Sequence, residues 1–176
     1  IEQSREIISR FNSYYGDTFP LPEPLLSTGK RILGLDGKAK MSKSLGNCIF
    51  LKDTPEEIRA KIKIAKTDSD SAIKFDEKNK PEISNLLTIF SFATDRSIKE
   101  LEQEFAGTGY GAFKEQLAEA LIKFLEPIRE KRAEIEKNSS VLNDILREGT
   151  KKTREEAQQT MELVRKKMKI DYDFSA

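Results

Sequence analysis

The sequence predicts a mainly α-helical protein: a bundle of helices over residues 53–176, preceded over residues 1–52 by a small strand-containing segment with a basic loop. Two observations carry this. Beyond residue 53, apolar residues recur at three- and four-residue steps, the period of one helix face. Cap-forming residues stand ahead of several of those stripes. A third observation separates the first segment, where alternating prolines and a turn dipeptide replace the long helical pattern.

Taken in order, Ile1 to Tyr15 reads as an amphipathic helix through Ile7, Ile8, Phe11 and Tyr15, with Gly16 as its stop. Pro20, Pro22 and Pro24 cannot continue a helix, so Phe19–Pro24 is an extended connector. Arg31-Ile32-Leu33-Gly34-Leu35 predicts a short strand ended by Asp36-Gly37, and Cys48–Leu51 a second extended piece. Asp53 or Thr54 caps a helix that opens Pro55-Glu56-Glu57 and buries Ile58, Ile62 and Ala65. Pro81 opens another with Ile83, Leu86, Leu87 and Phe90 along one side. Ser97-Ile98-Lys99-Glu100 is a capping box ahead of Leu101 and Phe105.

Gly107, Gly109 and Gly111 interrupt the chain before a longer helix. That helix is expected to bury Phe113, Leu117, Leu121, Phe124, Ile128 and Ile135 and to kink at Pro127. A short helix with Val141, Leu142, Ile145 and Leu146 then closes at Gly149, and Thr153–Glu156 caps the last one. Its stripe is Ala157, Met161, Val164 and Met168.

Composition removes several classes of function. Thirty-one basic residues face 30 acidic ones, so the net charge of +1 argues against a chain coated along its length in nucleic acid, while leaving local phosphate contacts open. With one cysteine, Cys48, no internal disulfide or cysteine metal cluster forms, which fits the cytoplasm; its apolar neighbours predict burial. No apolar run approaches membrane-spanning length. There is no histidine, which closes every mechanism built on a histidine base or metal ligand. The first residue is Ile rather than Met, already within a helical pattern, and predicts an N-terminal truncation.

The chemistry concentrates in Lys38-Ala39-Lys40-Met41-Ser42-Lys43-Ser44-Leu45-Gly46-Asn47. Lys40 and Lys43 can converge on one multiply charged anion, Ser42 and Ser44 add hydroxyl donors, and Gly46 permits a tight turn. Met41 and Leu45 can pin the loop to apolar surface. The spacing is not that of a Walker phosphate loop. On chemistry alone, a pyrophosphate-binding loop and an ordinary basic surface loop stand at even odds.

Lys40 to Ser44 matches the K-M-S-K-S motif and resembles the class I aminoacyl-tRNA synthetases. The flanks Arg10-Phe11-Asn12, Tyr15-Gly16, Phe19-Pro20-Leu21-Pro22-Glu23, Lys66-Thr67-Asp68-Ser69-Asp70, Ser84–Phe90 and Tyr110-Gly111-Ala112-Phe113-Lys114 are similar to the bacterial tryptophanyl-tRNA synthetases. The resemblance implies that residues 1–52 are the C-terminal remnant of a Rossmann-like α/β catalytic domain and residues 53–176 a helical anticodon-binding domain. It implies ATP with Mg2+, L-tryptophan and tRNA(Trp) as substrates and partners, a homodimer, and formation of tryptophanyl-adenylate followed by transfer to tRNA. By position, Lys40 and Lys43 become the catalytic cations on the pyrophosphate, with Ile32, Met41, Ser42 and Ser44 completing the ATP contacts. No metal ligand is assigned to this chain. The family's histidine-containing motif cannot be present here, so the chain alone is expected to be inactive.

Basic clusters at Arg129–Arg132, Arg147 with Lys151, Lys152 and Arg154, and Arg165–Lys167 with Lys169 are candidate tRNA contacts, although a solvated helix face accounts for each more simply. Two further readings remain: a fragment of the cysteine or tyrosine enzyme, and a helical tRNA-binding module without catalysis.

Overall fold

The computed structural model describes residues 1–26 and 32–172, with six helices: α1 (Glu2–Tyr15), α2 (Pro55–Ile64), α3 (Pro81–Thr94), α4 (Ile98–Glu104), α5 (Gly109–Lys137) and α6 (Ser139–Met168). The chain packs as two compact units, one of Thr28–Glu136 and one of Ile1–Ser27 with Lys137–Ala176.

In the Thr28–Glu136 unit, apolar side chains from α2 to α5 meet in one core. Ile58, Ile62, Ile83, Leu87, Leu101, Phe113 and Leu117 have no exposed surface. Phe90, Phe105 and Phe113 form a ring cluster with centroids 5.3–5.7 Å apart, joining α3, the end of α4 and α5. Offset and edge-on contacts of this kind favour aromatic pairs beyond the area they bury. Two capping boxes fix the helix starts. Thr54 accepts from Glu57 N while Glu57 accepts from Thr54 N, and Ser97 with Glu100 does the same. Asp53, the other candidate cap, instead accepts from Phe50 N at 2.7 Å and pairs with Lys61 at 2.5 Å.

In the other unit, the predicted connector runs back along α1. The Asn12 side chain accepts from Thr18 N and Phe19 N and donates to Phe19 O, and Arg5 donates to Pro22 O. Phe11 stacks between Tyr15 and Phe19 at 4.8 and 5.1 Å. Gly16 ends α1 with φ +80°, a conformation that favours glycine.

Four expectations need correction. No strand forms among the described residues; the predicted pieces at 31–35 and 48–51 supply only an isolated antiparallel bridge, Leu33 to Lys40. Arg31 lies outside the described residues. Gly111 does not break the chain but sits within the first turn of α5, which begins at Gly109. Farther along α5, Phe124 and Ile128 are about half exposed and Leu125 is buried in their place, because the buried stripe steps from Leu121 to Leu125. Finally, Gly149 and Thr153 do not separate two helices. Both lie inside the continuous α6, where the Thr153 hydroxyl donates back to Gly149 O at 2.8 Å. One interior glycine costs roughly 1 kcal/mol against alanine, too little to end a 30-residue helix.

Candidate active-site loop

Residues 32–47 form a tight, hairpin-like turn on the core of the Thr28–Glu136 unit. Gly34 N donates to Ala39 O at 2.8 Å and Met41 N to Ile32 O at 3.3 Å. Leu35 N donates to Asn47 O, and Leu35 O accepts from Lys66 N, both at 2.8 Å. Ile32 and Met41 pack against the core while Leu35 lies within it. Of the two apolar residues expected to pin the loop, Met41 does so; Leu45 is 61% exposed and does not.

Asn47 organises the turn from inside. It is buried, its side-chain oxygen accepts from Ser42 N at 2.8 Å, and its amide nitrogen donates to Asp36 at 3.1 Å. The Lys38 N–H, and after it the Asn47 amide, hold the Asp36 carboxyl below its ordinary pKa. Asp36 therefore stays ionised as an internal acceptor. The Ser42 and Ser44 hydroxyls are 2.9 Å apart, and Gly46, with φ +64°, donates its N–H to Lys43 O.

A second asparagine holds the outer edge. Asn85, buried in α3, accepts from Leu33 N at 2.8 Å and donates to Leu33 O at 2.9 Å. One side-chain amide thus satisfies both main-chain groups of Leu33, as a neighbouring strand does.

With the polar backbone tied inward, the charges point out. Lys38, Lys40 and Lys43 are exposed and enter no ion pair among the described residues. Ser42 is half-buried beside them and Ser44 exposed. The turn thus presents cations and hydroxyls on a scaffold whose own acceptors are occupied, an arrangement suited to an external polyanion. Ile32, Lys40, Met41, Ser42, Lys43 and Ser44 fall in this one turn; Asn47 and Asn85 hold it in ways no local pattern indicates, and Asp36, expected only as part of a turn dipeptide, is also an internal acceptor. Asn85 is marked in the sequence by a polar Ser84-Asn85 pair inside an otherwise apolar helix stripe and by its place in the family-like segment Ser84–Phe90.

A family profile described as "tRNA synthetases class I (W and Y)" matches residues 1–126, which include this turn. The chain belongs to the class I tRNA synthetases of the tryptophan and tyrosine group. It is 43% identical to the tryptophan–tRNA ligase of Wolinella succinogenes over 96% of its own length and 52% of that relative. It is also 43% identical to the Bacillus subtilis enzyme over 96% of its length and 51% of the relative. The tryptophanyl-tRNA synthetase structure from Mycoplasma pneumoniae superposes with a TM-score of 0.83 at 27% identity, over 95% of this chain and 53% of that one. The Campylobacter jejuni enzyme, complexed with ADP and tryptophan, superposes with a TM-score of 0.68 at 32% identity, over 95% and 52%. The chain spans about half the length of the curated relatives it matches. The matched residues 1–126 include Lys40-Met41-Ser42-Lys43-Ser44 on this turn.

The candidate tRNA contacts separate into different settings. Lys131 and Arg132 pair with Glu134 and Glu136 one helical turn on, and Arg129 donates to Ile122 O. Arg165, Lys166 and Lys167 occupy the last turn of α6, where they complement the negative end of the helix dipole. Arg147, Lys151, Lys152 and Arg154 are exposed on α6 and enter no ion pair among the described residues. Among the described residues no helix is long and apolar enough to cross a membrane.

Proposed function

We propose that this chain is the C-terminal part of a tryptophan–tRNA ligase, with residues 1–52 belonging to its Rossmann-like catalytic domain and residues 53–176 to its helical, tRNA-facing domain. The observation that supports this most is the turn at 32–47, which aims Lys40 and Lys43 outward while Asn47, Asp36 and Asn85 occupy its internal hydrogen bonds.

The first half-reaction joins the carboxylate of L-tryptophan to the α-phosphate of ATP and expels pyrophosphate. Negative charge builds on the departing group, and cations that engage it most strongly in the transition state lower the barrier. Lys40 and Lys43 fill that role, with the Ser42 and Ser44 hydroxyls donating to phosphate oxygens and the main chain at Ile32 lying against the adenine. Among the described residues no group of three His, Cys, Asp or Glu side chains could hold a metal. The turn offers ammonium and hydroxyl donors to the phosphates; Mg2+ bound with the ATP would supply further charge neutralisation there.

The second half-reaction passes the tryptophanyl group to tRNA(Trp). Arg147, Lys151, Lys152 and Arg154 are the cluster best placed to meet an RNA backbone, since their charges are unspent. The full-length enzyme works as a cytoplasmic homodimer. Because the chain has no histidine, the family's histidine motif must come from outside it, and the chain alone makes no adenylate.

The test is amino-acid-dependent exchange of labelled pyrophosphate into ATP, run with the full-length enzyme and with the 176-residue chain. Exchange driven by tryptophan in the first and none in the second is expected. Exchange driven by tyrosine, or by the chain alone, contradicts the proposal.

A further inference from the structure

The hydrogen bonds of Leu33 pose a physical question. Leu33 sits immediately after Ile32, at the base of the turn that carries Lys40 and Lys43, and its main-chain N–H and C=O face helix α3. In a sheet such groups are satisfied by the next strand. Here no strand lies alongside among the described residues, and the partner is one side chain 52 positions later in sequence.

We infer that Asn85 is a positioning residue for the lysine turn, its side-chain amide standing in for a missing strand so that helix α3 fixes where Lys40 and Lys43 point. The inference deepens the reading given under Proposed function and rests on it. Three features support the role. The amide contacts Leu33 N and O at 2.8 and 2.9 Å and lies 3.4 Å from Gly34 O, so it spans two consecutive residues. Leu33 also bridges to Lys40 across the turn, which places Asn85 one residue pair from the first catalytic cation. Asn85 is buried at 6% exposure in a helix stripe that otherwise carries Ile83, Leu86 and Leu87, where a polar side chain is costly unless it is fully paired. Its neighbour Ser84 is spent elsewhere, accepting from Asp76 N. A packing residue at this position needs no amide; a residue that mimics a strand edge needs a donor and an acceptor side by side. Among side chains of this size only Asn supplies both without charge at neutral pH, where the alternative carboxyl is ionised.

The decisive variant is Asn85→Asp in the full-length enzyme. A carboxylate there still accepts from Leu33 N but faces Leu33 O and Gly34 O with no proton to donate. A protonated carboxyl restores the donor. Burial raises the pKa of such a group, and the charged residues lining the same cleft, Lys38 and Glu77, act in opposite directions on it. At pH 8, kcat for tryptophan-dependent pyrophosphate exchange should fall roughly tenfold, the effect of one lost buried hydrogen bond, with KM for tryptophan unchanged. Lowering the pH should restore kcat relative to the wild-type enzyme measured at the same pH, whereas Asn85→Ala should stay impaired throughout. Wild-type kcat in Asn85→Asp at pH 8, or a loss that acid does not reverse, overturns the inference.

If both variants fold poorly, hydrogen exchange in the unmodified chain decides. The Leu33 N–H should exchange at least tenfold more slowly than a free amide, and exchange at the free rate overturns the clamp. The Lys43→Ala variant separates the two levels of the argument. If it keeps full exchange activity, the functional reading fails; if it loses activity while Asn85→Asp does not, only the positioning role fails.

Discussion

Gly34 and Asn47 share one volume: a Cβ placed on Gly34 would lie 2.0 Å from the Asn47 side-chain nitrogen and 2.2 Å from its Cγ. The glycine is needed for space, and what fills that space is the side chain that ties Ser42 N to Asp36. Gly34→Ala must therefore push Asn47 out or distort the backbone beneath it. The expected cost is about 1–3 kcal/mol from overpacking, read as a lowered urea midpoint with an unchanged slope. In the full-length enzyme the same change should lower the pyrophosphate-exchange rate. A midpoint and a rate equal to wild type would mean that Asn47 does not hold the turn.

Tyr110 gives a spectroscopic check on the Thr28–Glu136 unit. Burial, and then its hydrogen bond to Asp68, push its pKa up to about 12. The folded-state value lies above the ordinary tyrosine value of about 10, so the neutral phenol adds stability that is complete below pH 10 and is lost as pH rises through 12. Of the four tyrosines, one should titrate near pH 12 in ultraviolet difference spectra, and Tyr110→Phe should abolish that step. Loss of a step near pH 10 instead would place Tyr110 in open solvent.

The two phenylalanines of α5 should behave very differently. Phe113 has no exposed surface and touches Phe90 and Phe105, so Phe113→Ala should cost about 3–5 kcal/mol. Phe124 is 50% exposed, and Phe124→Ala should cost no more than about 1 kcal/mol. Equal losses in urea unfolding would restore Phe124 to the core.

Gly149→Ala distinguishes a continuous α6 from two shorter helices. Inside a helix, alanine is favoured by roughly 1 kcal/mol, and the melting temperature should rise. A fall would indicate that Gly149 ends a helix in a conformation alanine cannot adopt.

These contrasts mark what the sequence made legible. The caps at Thr54 and Ser97 and the stripes through Ile58, Ile83 and Phe113 were readable because each depends on neighbours within a few residues. Phe124 and Gly149 depart from expectation for different reasons. Burial of Leu125 in place of Phe124 depends on which face the remaining chain covers, whereas α6 is exposed around Gly149 and runs on because a single glycine costs too little to end it. The turn's lysines and serines were legible as a motif, yet its scaffold was not. Asn85 reaches Leu33 across 52 positions, and no periodicity signals that an amide will replace a strand.

Lys43 is the residue on which the turn's chemistry depends most directly. In the full-length enzyme, Lys43→Ala should raise the barrier to tryptophan-dependent pyrophosphate exchange by about 2–4 kcal/mol, as loss of a donor used in the transition state does. Tryptophan binding, measured separately by equilibrium titration, should be unchanged. A rate equal to wild type would contradict the role assigned to the turn.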